Sequence, residues 1–260
     1  MSSTASPFRR IVGKLALVLT HPHHHQWLGR CNICGQRTPF VSDGERWIRR
    51  CVWCRSTPKY RAIQYVVERR CGALRQFLDA HQIYELTTRS PIYRTYGAHP
   101  NYTVSGYFSD RPFGVQYGKV WNQDLQRLSF PDGSFDLMIS SETMEHVRRP
   151  WVGFREIARV LKPGGYHVFT IPYSDDRITT PRVDATGPED VDLLPRVYHQ
   201  DPYRPADSLL YTDFGRDLPA LLEPLGLRTE IERVLVPEHD IQDDLRPVVV
   251  LVSQRVSGSR

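Results

Sequence analysis

Phe135-Asp136-Leu137-Met138-Ile139-Ser140 is an almost unbroken apolar run. It is followed by Trp151, Phe154, Ile157, Ala158 and Leu161 at helical spacing, then by the turn Lys162-Pro163-Gly164-Gly165, then by a second run from Tyr166 to Ile171. Short apolar runs of this kind read as strands buried on both faces, and the face between them reads as a crossover helix. Further strand and helix patterns flank this unit, without an internal sequence repeat. Before it, the spacing predicts strands over Gln82 to Leu86, with Glu85 near the end, Tyr102 to Tyr107, and Lys119 to Trp121. After it, Phe214, Leu218, Leu221, Leu222 and Leu225 mark a helix stopped by Gly226, and Thr229 to Val236 and Val248 to Ser253 read as strands. Alternation of this kind specifies an α/β fold: an open, mostly parallel sheet with helices on both faces. The last two strands are adjacent and permit an antiparallel edge. Residues 174–211 fit neither period and are rich in Pro, Asp and Arg. Loops of this length in a compact domain usually bind or cover something.

The chain has 260 residues, of which 40% are hydrophobic and 24% charged, with a formal charge of +5. This is globular composition, enough for one large domain with or without a small module. No run reaches the ~18 apolar residues of a membrane span. Ile11 to Leu19 is short, is interrupted by Lys14 and lacks a small-residue cleavage site, so it reads as an amphipathic entry helix, with membrane-surface contact as the alternative. A cytoplasmic protein is expected. Residues 1–81 hold 14 Lys/Arg against 4 Asp/Glu. Such a basic front end is either a solvated face or a contact for nucleic acid, anionic lipid or protein. His21, His23, His24 and His25 read as a solvated linker.

Four of the five cysteines form Cys31-x-x-Cys34 and Cys51-x-x-Cys54, with 16 residues between the pairs. Two thiolates on each tight turn, brought together by a hairpin, suit a tetrahedral Zn2+ with no open position, hence a structural metal. Gly35 and Gly44 suit the turns. Two disulfides are the alternative; the odd cysteine count and the lack of a secretory segment oppose them. Cys71 falls in a helical pattern and reads as a buried small apolar residue. Ile63, Val66, Val67, Leu74, Phe77 and Leu78 predict a helix over Pro58 to Ala80, weakened near Gly72.

The runs Asn122-Gln123-Asp124-Leu125 through Phe130-Pro131-Asp132-Gly133-Ser134-Phe135-Asp136-Leu137, Ser140-Ser141-Glu142-Thr143-Met144-Glu145-His146-Val147, and Glu156-Ile157-Ala158-Arg159-Val160-Leu161-Lys162-Pro163-Gly164-Gly165 together resemble class I S-adenosylmethionine-dependent methyltransferases of the type called methyltransferase type 11. The resemblance covers roughly Ile83 to the C-terminus. It implies a Rossmann-like, mostly parallel seven-stranded sheet, with S-adenosylmethionine across the C-terminal strand ends at the topological switch point. It further implies that Asp124 accepts a hydrogen bond from the adenine amino group with Leu125 beside the ring. Ser105 and Ser141 would also line the cofactor site, and Ser141 and Glu142 would stand where donor meets acceptor. Glu145-His146 would open the following helix. Asp124 also reads as a turn residue, and Glu145 and His146 as helix-capping or packing residues. Asp136 reads as a fold-holding residue.

The sequence departs from the family at two places. No glycine follows the first strand, which ends Glu85-Leu86-Thr87-Thr88-Arg89-Ser90-Pro91. This is similar to relatives with Ser-Ser-Arg-Gly-Pro there; Glu85 would be the cofactor-binding acid, Thr87 and Thr88 would offer hydroxyls, and Arg89 would pair with the cofactor carboxylate. After the second strand, Gly106 stands where relatives carry an acid for the ribose.

Methyl transfer needs alignment, exclusion of water and, for oxygen or nitrogen acceptors, a proton acceptor. His146 and His199 are the candidate bases, because imidazole titrates near neutrality, with Glu142 as runner-up. His199 lies in Tyr198-His199-Gln200-Asp201-Pro202, and Tyr211 to Gly215 reads Tyr-Thr-Asp-Phe-Gly. Both motifs resemble ones that relatives place at the acceptor, so Tyr173, Tyr198 and Tyr211 are candidate acceptor contacts. The expected acceptor is an oxygen or nitrogen of a small molecule or glycan. An RNA methyltransferase gripping RNA through the basic zinc module, with Trp47, Trp53 and Tyr60 stacking, and a non-catalytic binding protein are the competing readings. The expected organisation is a basic amphipathic segment over 1–28, a four-cysteine module over 29–57, a connecting helix over 58–81, and a methyltransferase domain over 82–260 with 174–211 as the acceptor-site loop.

Overall fold

The computed structural model describes residues 25–42, 49–199, 208–242 and 246–256. The expected entry helix at Ile11 to Leu19, the histidines at 21, 23 and 24, and the turn at Gly44 lie outside the described residues. Among the described residues, no helix is long and apolar enough to cross a membrane.

Strands β1 (His25–Arg30), β2 (Arg37–Ser42) and β3 (Arg49–Cys51) form a small antiparallel sheet. The turns that leave β1 and β3 are built alike. The amides of Gly35 and Arg55 donate to the carbonyls of Cys31 and Cys51, each at 2.8 Å. Both turn residues have positive φ, +72° and +62°; glycine takes this at no cost, and Arg55 does not. Helix α1 (Pro58–Cys71) follows, then α2 (Leu74–Ala80). The single helix expected over 58–80 is therefore two. Gly72, at φ +80°, caps α1 through an amide bond to the Glu68 carbonyl, and the chain turns before resuming. Cys71, expected to be buried, is half-buried on the last turn of α1.

The main sheet contains β4 (Ile83–Glu85), β5 (Tyr102–Gly106), β6 (Val115–Tyr117), β7 (Val120–Asn122), β8 (Phe135–Ser141), β9 (Leu161–Thr170), β15 (Leu227–Val234) and β16 (Val248–Arg255). Its order is β15-β16-β9-β8-β4-β5-β7-β6. Only β16 and the edge strand β6 run antiparallel to their neighbours. From β4 the chain builds outward through β5 to β7, then returns to place β8 on the other side of β4. That reversal is the switch point. The Rossmann-like sheet is as expected, but with eight strands, not seven. Gly118 at φ +63° and Lys119 close a tight hairpin that adds β6 to β7.

Successive strand residues face two cores, which is why the runs look continuous. Ile83, Leu137, Ile139, Val168, Val250 and Val252 pack on one face with α1, α2 and α3 (Pro91–Tyr96). Tyr84, Met138, Phe169 and Leu251 pack on the other with α4 (Pro150–Val160) and α5 (Leu218–Leu222). Cys31, Ile33, Phe40 and Cys51 of the small sheet share the first core. Arg61 of α1 locks this junction. Fully buried, it lies over the Phe40 ring at 4.3 Å and donates to the carbonyl and Oδ2 of Asp240, both at 2.8 Å. Arg49 reaches Oδ1 of the same aspartate at 2.8 Å.

One expectation after β9 is corrected. Phe214 belongs to β14 (Thr212–Gly215), not to the helix, which starts at Leu218. The patternless 174–211 stretch is tied down by pairings two residues long: β10 (Tyr173–Ser174) and β11 (Thr180–Pro181) flank β14, and β12 (Val183–Asp184) pairs with β13 (Val191–Asp192). Pairings so short leave no readable period.

Candidate functional site

A cavity of about 1250 Å³ opens above the C-terminal ends of β4, β5, β7 and β8, at the switch point. Ligands bind at this place in open α/β sheets. Its wall brings together Ser105, Asp124, Leu125, Ser141, Glu142, His146, Tyr198, His199 and Tyr211 of the expected set. It does not include Glu85, Thr87, Thr88, Arg89 or Tyr173. Of the glycine-less loop only Leu86 lines the cavity; Thr87, Thr88 and Arg89 are not part of the wall.

Each side chain has a local reason for its place. Asp124 accepts the Gln126 amide at Oδ1 (2.9 Å), the geometry of an Asx turn. The turn role and the wall position coexist in one residue. Ser105 is committed to a hydrogen bond with the Tyr84 hydroxyl at 2.7 Å, and Ser141 to one with Thr170 at 2.9 Å. Glu85 is not part of the wall: its carboxylate accepts from the Tyr102 hydroxyl at 2.6 Å. Burial pushes this carboxyl up to about 7 against the pull of the Ser90 and Tyr102 hydroxyls. Ser90 caps α3, accepting from the Ile92 and Tyr93 amides. Thr87 accepts the Arg89 amide at 3.3 Å. Tyr173 donates to Asp175 at 3.0 Å, outside the cavity.

Glu142 has φ +51°, a conformation a glutamate rarely adopts. It is held by its amide bond to the Thr170 carbonyl at 2.9 Å and by Lys59, whose ammonium lies 2.6 Å from Oε2. Glu145 and His146 form a 3-10 turn, not the start of a helix; α4 begins at Pro150. The turn buries Glu145 completely, and among the described residues neither carboxylate oxygen has a hydrogen-bond partner. Burial, and then the Glu142 charge, hold that carboxyl well above its ordinary range. His146 Nδ1 donates to the Leu209 carbonyl at 2.9 Å. His199 meets the His146 ring edge-on, centroids 4.9 Å apart, and burial lowers its imidazole. Tyr211 donates to Asp190, which also pairs with Arg148 at 2.7 Å. Burial and that aspartate raise the phenol to about 12.

Sequence reasoning missed one wall. Thr57, Pro58, Lys59 and Tyr60, from the start of α1, line the cavity, as do Gln123, Arg148, Asp190 and Arg196. The pattern of α1 announced only a packing helix. Pro58 at its first turn marked where the helix begins but not what that end faces.

The four cysteine sulfurs converge. Cys31 and Cys54 are 3.6 Å apart, Cys34 and Cys51 3.8 Å. A tetrahedron with Zn–S bonds of about 2.3 Å has edges of about 3.8 Å, so the donor set fits. All four are free thiols, so the disulfide alternative falls. Through hydrogen bonding between them, Cys31 is pulled down and Cys34 pushed up.

Residues 82–169 match the family described as a methyltransferase domain. An uncharacterized methyltransferase of Mycolicibacterium gilvum is 46% identical over 43 residues, 16% of this chain and 17% of that protein. A fatty-acid O-methyltransferase of Mycolicibacterium smegmatis is 45% identical over 47 residues, 18% of this chain and 17% of that protein. The chain thus spans about a sixth of the length of the curated relatives it matches. Among solved structures, the 1,6-didemethyltoxoflavin-N1-methyltransferase of Burkholderia thailandensis aligns over 99% of this chain and 93% of its own, at 13% identity and a TM-score of 0.49.

Proposed function

We propose that the chain is an S-adenosylmethionine-dependent methyltransferase that acts on an oxygen or nitrogen of a small molecule or glycan and carries a structural zinc. The observation that carries this reading is the cavity at the switch point, with Asp124 and Leu125 in its wall, inside the segment that matches a methyltransferase domain. S-adenosylmethionine supplies an electrophilic methyl group on a cationic sulfur. The chain's own residues bind, orient and handle a proton. Asp124 has Oδ2 left over from its turn as an acceptor for an amino group, and Leu125 offers an apolar surface. The Lys59–Glu142 pair and the His146–His199 pair stand on the same wall, where a proton can leave an acceptor. Tyr198, Tyr211 and Arg196 supply polar contacts from the loop. Cys31, Cys34, Cys51 and Cys54 would hold the zinc, which folds the small sheet and so seats the start of α1 in the wall.

Calorimetric titration with S-adenosylmethionine tests the reading. Asp124→Ala is expected to weaken binding by about 1–3 kcal/mol, the scale of a lost buried hydrogen bond. A wild-type chain that binds no cofactor refutes the enzyme and favours a non-catalytic binding protein. Of the aromatics that the RNA reading would stack, Tyr60 lines the cavity, Trp47 lies outside the described residues, and Trp53 is 48% exposed with its indole donating to the Arg37 carbonyl; RNA titration at low salt tests that reading.

A further inference from the structure

We infer that Glu145, His146 and His199 form a binding site for a divalent first-row transition-metal cation at the edge of the cavity, with the two histidines in its wall and Glu145 fully buried beside them. Their ligand atoms all lie within 4.8 Å of one another. His146 Nε2 is 3.8 Å and His199 Nδ1 is 3.9 Å from Glu145 Oε1. These gaps are too long for hydrogen bonds. Donors bound at about 2.1 Å stand about 3.0–3.5 Å apart around one metal, so each His–Glu gap closes by about 0.3–0.9 Å and the His146–His199 gap, within 4.8 Å, by at most about 1.8 Å.

Two further observations point the same way. Glu145 is fully buried and both oxygens lack a partner among the described residues, whereas buried polar atoms are nearly always paired. His146 is already oriented as a ligand. A carbonyl can only accept, so Nδ1 carries the proton given to Leu209, and the Nε2 lone pair faces Glu145. A backbone carbonyl behind the distal ring nitrogen is the usual support of a metal-bound histidine. The surroundings are built to hold this shape. The Tyr211 amide donates to the Glu145 carbonyl at 2.8 Å, and the His199 amide to the Ser208 carbonyl at 3.0 Å. Two imidazoles and a carboxylate suit Mn2+, Fe2+, Co2+ or Zn2+ and leave positions open toward the cavity. The consequence for chemistry rests on the methyl-transfer reading: an acceptor that offers an oxygen can take an open position, and the imidazoles then hold the cation instead of a proton.

The test uses the full chain, zinc-replete at the cysteines, titrated with Mn2+ and followed by the electron paramagnetic resonance of free Mn2+. A hard cation does not displace zinc from four thiolates. One equivalent should bind. E145Q and H199A should each bind at least tenfold more weakly while keeping the cysteine-bound zinc and the wild-type melting midpoint. If one variant fails to fold, the other decides. A free-Mn2+ signal undiminished by wild type up to about 1 mM, the weak limit for oxygen-rich sites, overturns the site, as does wild-type affinity in a folded variant. S-adenosylhomocysteine titrated into the same zinc-loaded samples before Mn2+ is added reports on the enzyme reading separately. Mn2+ uptake without nucleoside binding supports the site and removes the enzyme.

Discussion

Replacing Asp240 by Asn should unfold the junction between the small sheet and the main domain. Arg61 and Asp240 are 0% and 1% exposed, and their ion pair is 2.8 Å long. Burial depresses Arg61 and raises Asp240, each opposed by the other's charge, so neither is at ease without its partner. Asn keeps the size of the side chain and tolerates the left-handed φ of +51° at this position. The change therefore isolates charge. Removing one member of a buried pair leaves an uncompensated ion and costs about 3–5 kcal/mol. Because Arg61 also binds the Ser56 carbonyl and covers Phe40, the loss falls on α1, whose first-turn residues Lys59 and Tyr60 line the cavity. Denaturant unfolding followed by tryptophan fluorescence should show a loss in that range, accompanied by weaker cofactor binding. Arg61→Met combined with Asp240→Asn should recover part of it, since apolar replacement of a whole buried pair is often neutral. A loss below about 1 kcal/mol for Asp240→Asn would refute the argument that this pair, and not apolar packing, fixes the junction.

Elemental analysis should find about one zinc per chain in a reducing, chelator-free preparation, and Cys51→Ser should lose it together with the fold of residues 29–57; retention of metal and melting behaviour by that variant would remove Cys51 from the ligand set. Glu85 gives a pH signature. Its folded value of about 7 lies above the ordinary 4.5, so the folded state holds the extra proton, and its stabilising contribution is complete below 4.5 and lost as pH rises to 7. That shift corresponds to about 3 kcal/mol, so stability of wild type relative to Glu85→Gln should decline between pH 4.5 and 7; parallel curves would show that Glu85 is ionised throughout.

The motif that carried the family resemblance is legible because most of it holds the fold. Glu156 accepts the Leu128 amide, Arg159 donates to the carbonyls of Leu128 and Phe130, and Lys162 pairs with Asp136, which in turn accepts the Gln82 amide. Gly165 is required because a Cβ there would stand 2.9 Å from two carbonyl oxygens. These bonds join residues 26 to 54 apart, most of them within the quoted runs, so the runs that carry the resemblance also hold one another in place. The candidate site is less legible because it is assembled across distance. Lys59 meets Glu142 across 83 residues, and His146 meets the Leu209 carbonyl across 63. Glu85 shows the opposite failure. Its position at the end of β4 is the expected one, but nothing local told which way its carboxylate turns; Tyr102, from the neighbouring strand, decides that. The missing glycines follow from this. Phosphate- and nucleoside-binding loops need glycine where backbone must approach a ligand. Here the loop after β4 instead folds away into α3 through Ser90, and the start of α1, held down by the small sheet, forms part of the wall. The four-cysteine module is thus part of the site's construction, and the integrity of the cavity should depend on it.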